Sequence, residues 1–63
     1  MSDAGPEQTT VASLSALYLG NILYAIERCA IALDEDGKRD DAAFYRGIGR
    51  ALADARGRES REL

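Results

Sequence analysis

The sequence predicts an all-α fold: a helical hairpin of two antiparallel helices, residues roughly 10–34 and 41–56, assembling as a homodimeric four-helix bundle. Three observations predict it. Apolar residues recur at helical spacing through the first segment. A charge-dense connection carrying a glycine, Asp34-Glu35-Asp36-Gly37-Lys38-Arg39, separates it from a second, shorter periodic segment. Finally, 63 residues is little chain for a core. A lone domain of about 60 residues buries only roughly 60% of its unfolded surface and usually needs a disulfide, a metal or a partner subunit. With one cysteine, Cys29, and no histidine, oligomerisation or a very efficient core is left.

Residues 1–9 hold Gly5, Pro6 and small polar side chains and read as a flexible N-terminal arm. Thr9 or Thr10 suits the N-cap, where a hydroxyl accepts from an orphan helix N–H. From Val11 to Leu33 there is no proline and one glycine, Gly20. Within this helix Leu19, Ile22, Ile26, Cys29 and Leu33 are spaced 3, 4, 3, 4. Ala12, Ala16, Leu23 and Ala30 widen that seam on one side, and Val11, Tyr18 and Ala25 border it on the other. Such an arc covers about half the helix circumference, wider than a two-stranded seam requires, and fits packing against two or more neighbours. Leu17, Tyr24 and Ile31, seven apart, form a second, thinner apolar stripe on the otherwise polar face. They are the candidate partner-binding residues, and Gly20 between them leaves room for close approach.

Gly37 suits the position just past a helix end, and Asp40-Asp41 suit the start of the next helix. Phe44, Ile48, Ala51, Leu52 and Ala55 make the apolar face of that second helix. Gly47, Ala51 and Ala55, four apart, make a small-residue groove along it. Gly57 is expected to close the helix, giving a hairpin domain over 10–57 and a flexible C-terminal tail over 58–63.

A first helix of about 24 residues spans roughly 36 Å, and a second of about 16 spans roughly 24 Å. The N-terminal third of the first helix would then be uncovered in a single copy. Pairing two hairpins covers it, with Leu19, Leu23, Ile26 and Ala30 expected at the dimer interface.

Chemistry-bearing motifs are scarce. Eight basic residues stand against eleven acidic ones, a net charge of −3, which argues against a general nucleic-acid or anionic-membrane binder. Without histidine, a metal cluster or a paired carboxylate site, no enzyme and no cofactor are expected. Cys29 lies on the apolar seam and reads as a small buried hydrophobe. The Asp34–Asp41 connection departs from a calcium loop, since Lys38 falls on a ligand position and the glycine comes too early. The 19 uncharged residues from Gln8 to Ile26 approach the length of a membrane span, but their polar stripe argues against one. An acidic N-terminus and one thiol suggest a cytoplasmic protein.

The function expected is that of a small non-enzymatic homodimeric interaction or regulatory protein that binds another protein through apolar helix surfaces. The alternative is a helical-bundle RNA or DNA binder using Arg39, Arg46, Arg50 and Arg58, since residues 42–63 carry five arginines against three acids. In length and architecture the plan resembles the small plasmid-copy-control proteins, which form dimeric helical hairpins and bind RNA. No motif is shared, so no residue takes a role from that resemblance.

Overall fold

A computed structural model describes the backbone of residues 9–62 and the side chains of residues 9–59. The chain is all-helical over these residues, with α1 (Val11–Leu17), α2 (Leu19–Glu35) and α3 (Arg39–Glu62). The N-terminal arm expected at 1–9 falls, apart from Thr9, outside the described residues.

Thr10 is the N-cap of α1. Its hydroxyl accepts from the Ser13 N–H at 3.0 Å, and the Ser13 hydroxyl accepts from the Thr10 N–H at 3.0 Å. This reciprocal capping satisfies two groups that a helix start leaves without partners. The helix expected to continue to residue 34 instead breaks at Tyr18, whose φ of −105° and ψ of 22° lie outside the helical basin. α1 and α2 meet there at 79°. No proline causes the break. Ser13, Ser15 and Gly20 flank it, all weaker helix formers than alanine, and the Ser15 hydroxyl donates back to the Ala12 carbonyl at 3.1 Å. Straightness is therefore cheap to lose. In return the bend brings Ala12, Ala16 and Leu19 to one side of a cleft whose other side is Leu52 and Ala55 of α3.

α2 ends as the sequence indicates. Gly37 adopts φ 81°, a left-handed conformation that costs other residues about 1–2 kcal/mol. The Lys38 N–H donates to the Leu33 carbonyl at 2.8 Å and the Gly37 N–H to the Asp34 carbonyl at 3.0 Å. These are the two bonds of a Schellman turn, which returns the chain within three residues. α3 then begins at Arg39, with Asp40 and Asp41 in its first turn against the positive end of the helix dipole.

Where an end near Arg56 was expected, α3 continues through Gly57 to Glu62. Arg56 and Glu59, one turn apart, form an ion pair at 3.5 Å that spans the glycine. The expected mismatch is thereby reversed: α3 spans roughly 36 Å and α2 roughly 26 Å. The excess length of α3 runs under α1, so the N-terminal segment does not stand clear of the rest of the chain.

α3 packs along α2 in the opposite direction, as the contacts show. Arg46 meets Asp34 near the turn, Gly49 lies against Ile26 and Leu23, and Leu52 and Ala55 face Leu19 farther out. Only Ala30 of α2 and Ala42 of α3 are fully buried among the described residues. Leu19, Ile22, Leu23, Ile26 and Leu33 are half-buried. A β-carbon on Gly49 would sit 3.5 Å from Ile26 Cγ2 and 3.7 Å from Leu23 Cδ2, so this glycine marks where the helices approach. The groove expected over Gly47, Ala51 and Ala55 is not that place: nothing lies within 4 Å of a β-carbon built on Gly47.

Candidate interaction surfaces

The α2–α3 seam divides the surface of the helix pair into two flanks of different chemistry. One flank is ionic. Glu27 and Asp34, seven apart, lie on the same side of α2. Arg46 of α3 reaches both, with Nη1 donating to Asp34 Oδ2 at 2.7 Å and Nη2 to Glu27 Oε2 at 3.5 Å. These contacts, the hydrogen bond to Asp34 first, raise the Arg46 pKa above its ordinary value. Arg46 is therefore a fixed cation whose charge is already matched.

The other flank is apolar. Helical rotation places Ile22, Ala25 and Cys29 along that side of α2 and Phe44, Tyr45 and Ile48 along that side of α3. Phe44 is 64% exposed, Tyr45 and Ile48 are each 37% exposed, and Ala25 and Cys29 are also exposed. The Phe44 and Tyr45 rings form an edge-to-face pair, centroids 5.8 Å apart at 78°. α1 closes only the far end of this flank, where Ala12, Ala16, Leu19, Leu52 and Ala55 line a cleft of about 80 Å³.

The wide apolar arc read on the first helix is thus divided. Its Leu23–Ala30 side meets α3, and its Ile22–Cys29 side stays open. Cys29, expected to be buried, is exposed because the covered line runs through Ile26 and Ala30, on the other side of the arc.

The residues singled out from sequence fall in three places. Leu19, Leu23, Ile26 and Ala30, expected between two copies, lie in contacts within one chain; Ala30 has no surface left to offer. Leu17, Tyr24 and Ile31 do not form one straight stripe, because the bend at Tyr18 separates Leu17 from the others. Leu17 and Tyr24 are 70% and 69% exposed, while Ile31 is half-buried. Gly20 has open space beside it. Arg39, Arg50 and Arg58 are exposed, whereas Arg46 is half-buried and held by its two carboxylates.

Sequence reasoning did not single out the Phe44–Tyr45–Ile48 side of α3 as a surface. The apolar pattern was legible there, but the side of α3 that meets α2 carries Ala42, Arg46 and Gly49 instead. Among the described residues no three His, Cys, Asp or Glu side chains come together as a metal site. No single described helix is long and apolar enough to cross a membrane; α1 and α2 together have the length and composition but are bent by 79°. No protein-family model, curated protein or solved structure matches the chain.

Proposed function

We propose that this chain is a small non-enzymatic interaction protein, a helical hairpin that works as a homodimer and regulates another protein by binding it through apolar helix surfaces. One observation carries the reading: large apolar side chains are exposed on all three helices, while among the described residues only two alanines are fully buried. A chain that covers so little of itself is built to be covered by something else. Leu17, Tyr24 and Ile31 are the proposed contacts to the protein partner. Two of them project from opposite sides of the Tyr18 bend, which makes an angular surface suited to a partner's edge or groove. The single thiol fits action in a reducing compartment such as the cytoplasm.

The test is to replace Leu17, Tyr24 and Ile31 together by serine. The expected result is an intact dimer that no longer retains the partner in a pull-down from the native source. Dissociation of the dimer instead would assign these residues to self-assembly.

The second reading, a nucleic-acid binder, is favoured by the exposure of Arg39, Arg50 and Arg58. It is weakened by Arg46, whose carboxylate contacts a phosphate would have to displace. A salt-dependent mobility shift with RNA or DNA, lost on Arg50→Gln, would favour it over the first.

A further inference from the structure

We infer that the open flank lined by Ile22, Ala25, Cys29, Phe44, Tyr45 and Ile48 pairs with the same flank of a second copy, the two Gly37 turns lying at opposite ends of the resulting bundle. This deepens the reading of the chain as a homodimer by naming the surface and its orientation.

Two observations select a second copy as the occupant. The middle of the flank is uncharged and its one bordering acid on that line of α3, Asp41, lies at the turn end, so the centre meets its own image without repulsion, as a two-fold interface requires. Its size suits a small interface. Past the end that α1 covers, the two helices run side by side from Ile22 to Glu35 and present roughly 21 by 20 Å, about 400 Å² in projection per copy, and each α1 set beside the partner's turn adds to it.

Orientation follows from charge and from α1. The turn end, residues 34–41, carries five carboxylates against two cations. The far end, residues 50–59, carries three arginines against two carboxylates. Turns at the same end would set two acidic ends together, whereas turns at opposite ends set each acidic end against a basic one. α1 sits on this flank at the far end only. Turns at the same end would also bring two α1 segments into one space; the opposed arrangement places each α1 beside the partner's turn.

The experiment measures the mass of the purified chain by light scattering and then locates the interface. The wild-type protein is expected at twice 6.8 kDa. Ile48→Glu is expected to weaken pairing at least about 30-fold, the effect of a central interface residue. Tyr24→Lys, on the other side of α2, should leave pairing unchanged while losing protein-partner capture, so failure of the protein-binding reading and failure of this one are told apart. Because Ile48→Glu can also unfold the chain, Cys29 supplies a readout in the unaltered protein. At micromolar concentration its thiol should react about tenfold more slowly than in denaturant, through lost access. Orientation is read in a Cys29→Ser, Asp36→Cys protein, which should form no disulfide-linked dimer under mild oxidation. A monomeric mass, or fast Cys29 labelling in the helical protein, overturns the inference. Dissociation by Tyr24→Lys with none by Ile48→Glu also overturns it, as does efficient Asp36→Cys cross-linking.

Discussion

The two flanks of the α2–α3 pair come from the same helices and differ in what they leave undone. On the ionic flank, Arg46 ties Asp34 to Glu27 and every partner is present within the chain. On the apolar flank, Phe44, Tyr45 and Ile48 stand exposed beside Ala25 and Cys29. The difference teaches where stability resides. Solvent screens these exposed ion pairs, so the ionic flank sets how the helices align more than how strongly they hold. Covering the apolar flank would take large side chains such as Phe44 and Ile48 out of water, each worth about 1.5–3 kcal/mol gross when fully buried, before the entropy of association is subtracted. The chain holds its register on one side and lacks its core on the other.

Placing the same charge on the two sides of the α2 arc should break this contrast most severely. Ala30→Glu puts a carboxylate into the covered seam between Glu27 and Asp34, whose one cation, Arg46, is already engaged, a cost of about 3–5 kcal/mol. The variant is expected to lose its helical circular-dichroism signal at every concentration. Ala25→Glu, on the open flank, should lose the signal only on dilution and regain it as concentration rises. If both variants behave alike, the two sides are not distinct.

Gly37→Ala comes next. A β-carbon at a φ of 81° should cost about 1–2 kcal/mol, read as a lower urea midpoint with an unchanged slope. Gly49→Ala works in the other direction and sharpens the view of the seam. The new β-carbon would meet Ile26 and Leu23 at ordinary contact distances. Removing a helical glycine should add about 0.8–1 kcal/mol of stability. A lower melting temperature would mean that α2 and α3 approach more closely than this. The smallest effect belongs to the ionic flank: Arg46→Gln should lower the melting temperature least of these variants, and the difference should shrink in high salt.

Much of the fold was legible in the sequence because local chemistry dictates it. Thr10 caps because its hydroxyl reaches an N–H one turn on, and Gly37 turns because the chain needs a positive φ there. The apolar arc of the first helix is broad in the sequence, and the structure covers one side of it and leaves Ala25 and Cys29 exposed on the other. What was not legible depends on tertiary trade-offs. No single residue at Tyr18 demands a break; weak helix formers lie on either side, and the bend places Ala12, Ala16 and Leu19 across a cleft from Leu52 and Ala55 that a linear reading does not see. Gly57 looked like a stop, yet a helix tolerates one glycine at about 1 kcal/mol. At the candidate surface, the exposure of Leu17 and Tyr24 followed from the pattern, but their shared line did not survive the bend. The side that α3 turns to α2 was the least legible feature, since Phe44 and Ile48 made the more obvious apolar face.

That last point has a geometric consequence. Each residue advances a helix by about 100°, so the stripe of Phe44, Ile48, Leu52 and Ala55 stands roughly one residue out of phase with the seam. The Schellman turn at Gly37, with its fixed link of three residues, sets that phase. Inserting one residue at the start of α3 would swing Phe44, Ile48, Leu52 and Ala55 together into the seam and carry Arg46 away from its carboxylates. The chain would then cover its own apolar stripe and have little left to offer another molecule. The proposed association thus rests on an angular offset between two helices, set by the length of one turn.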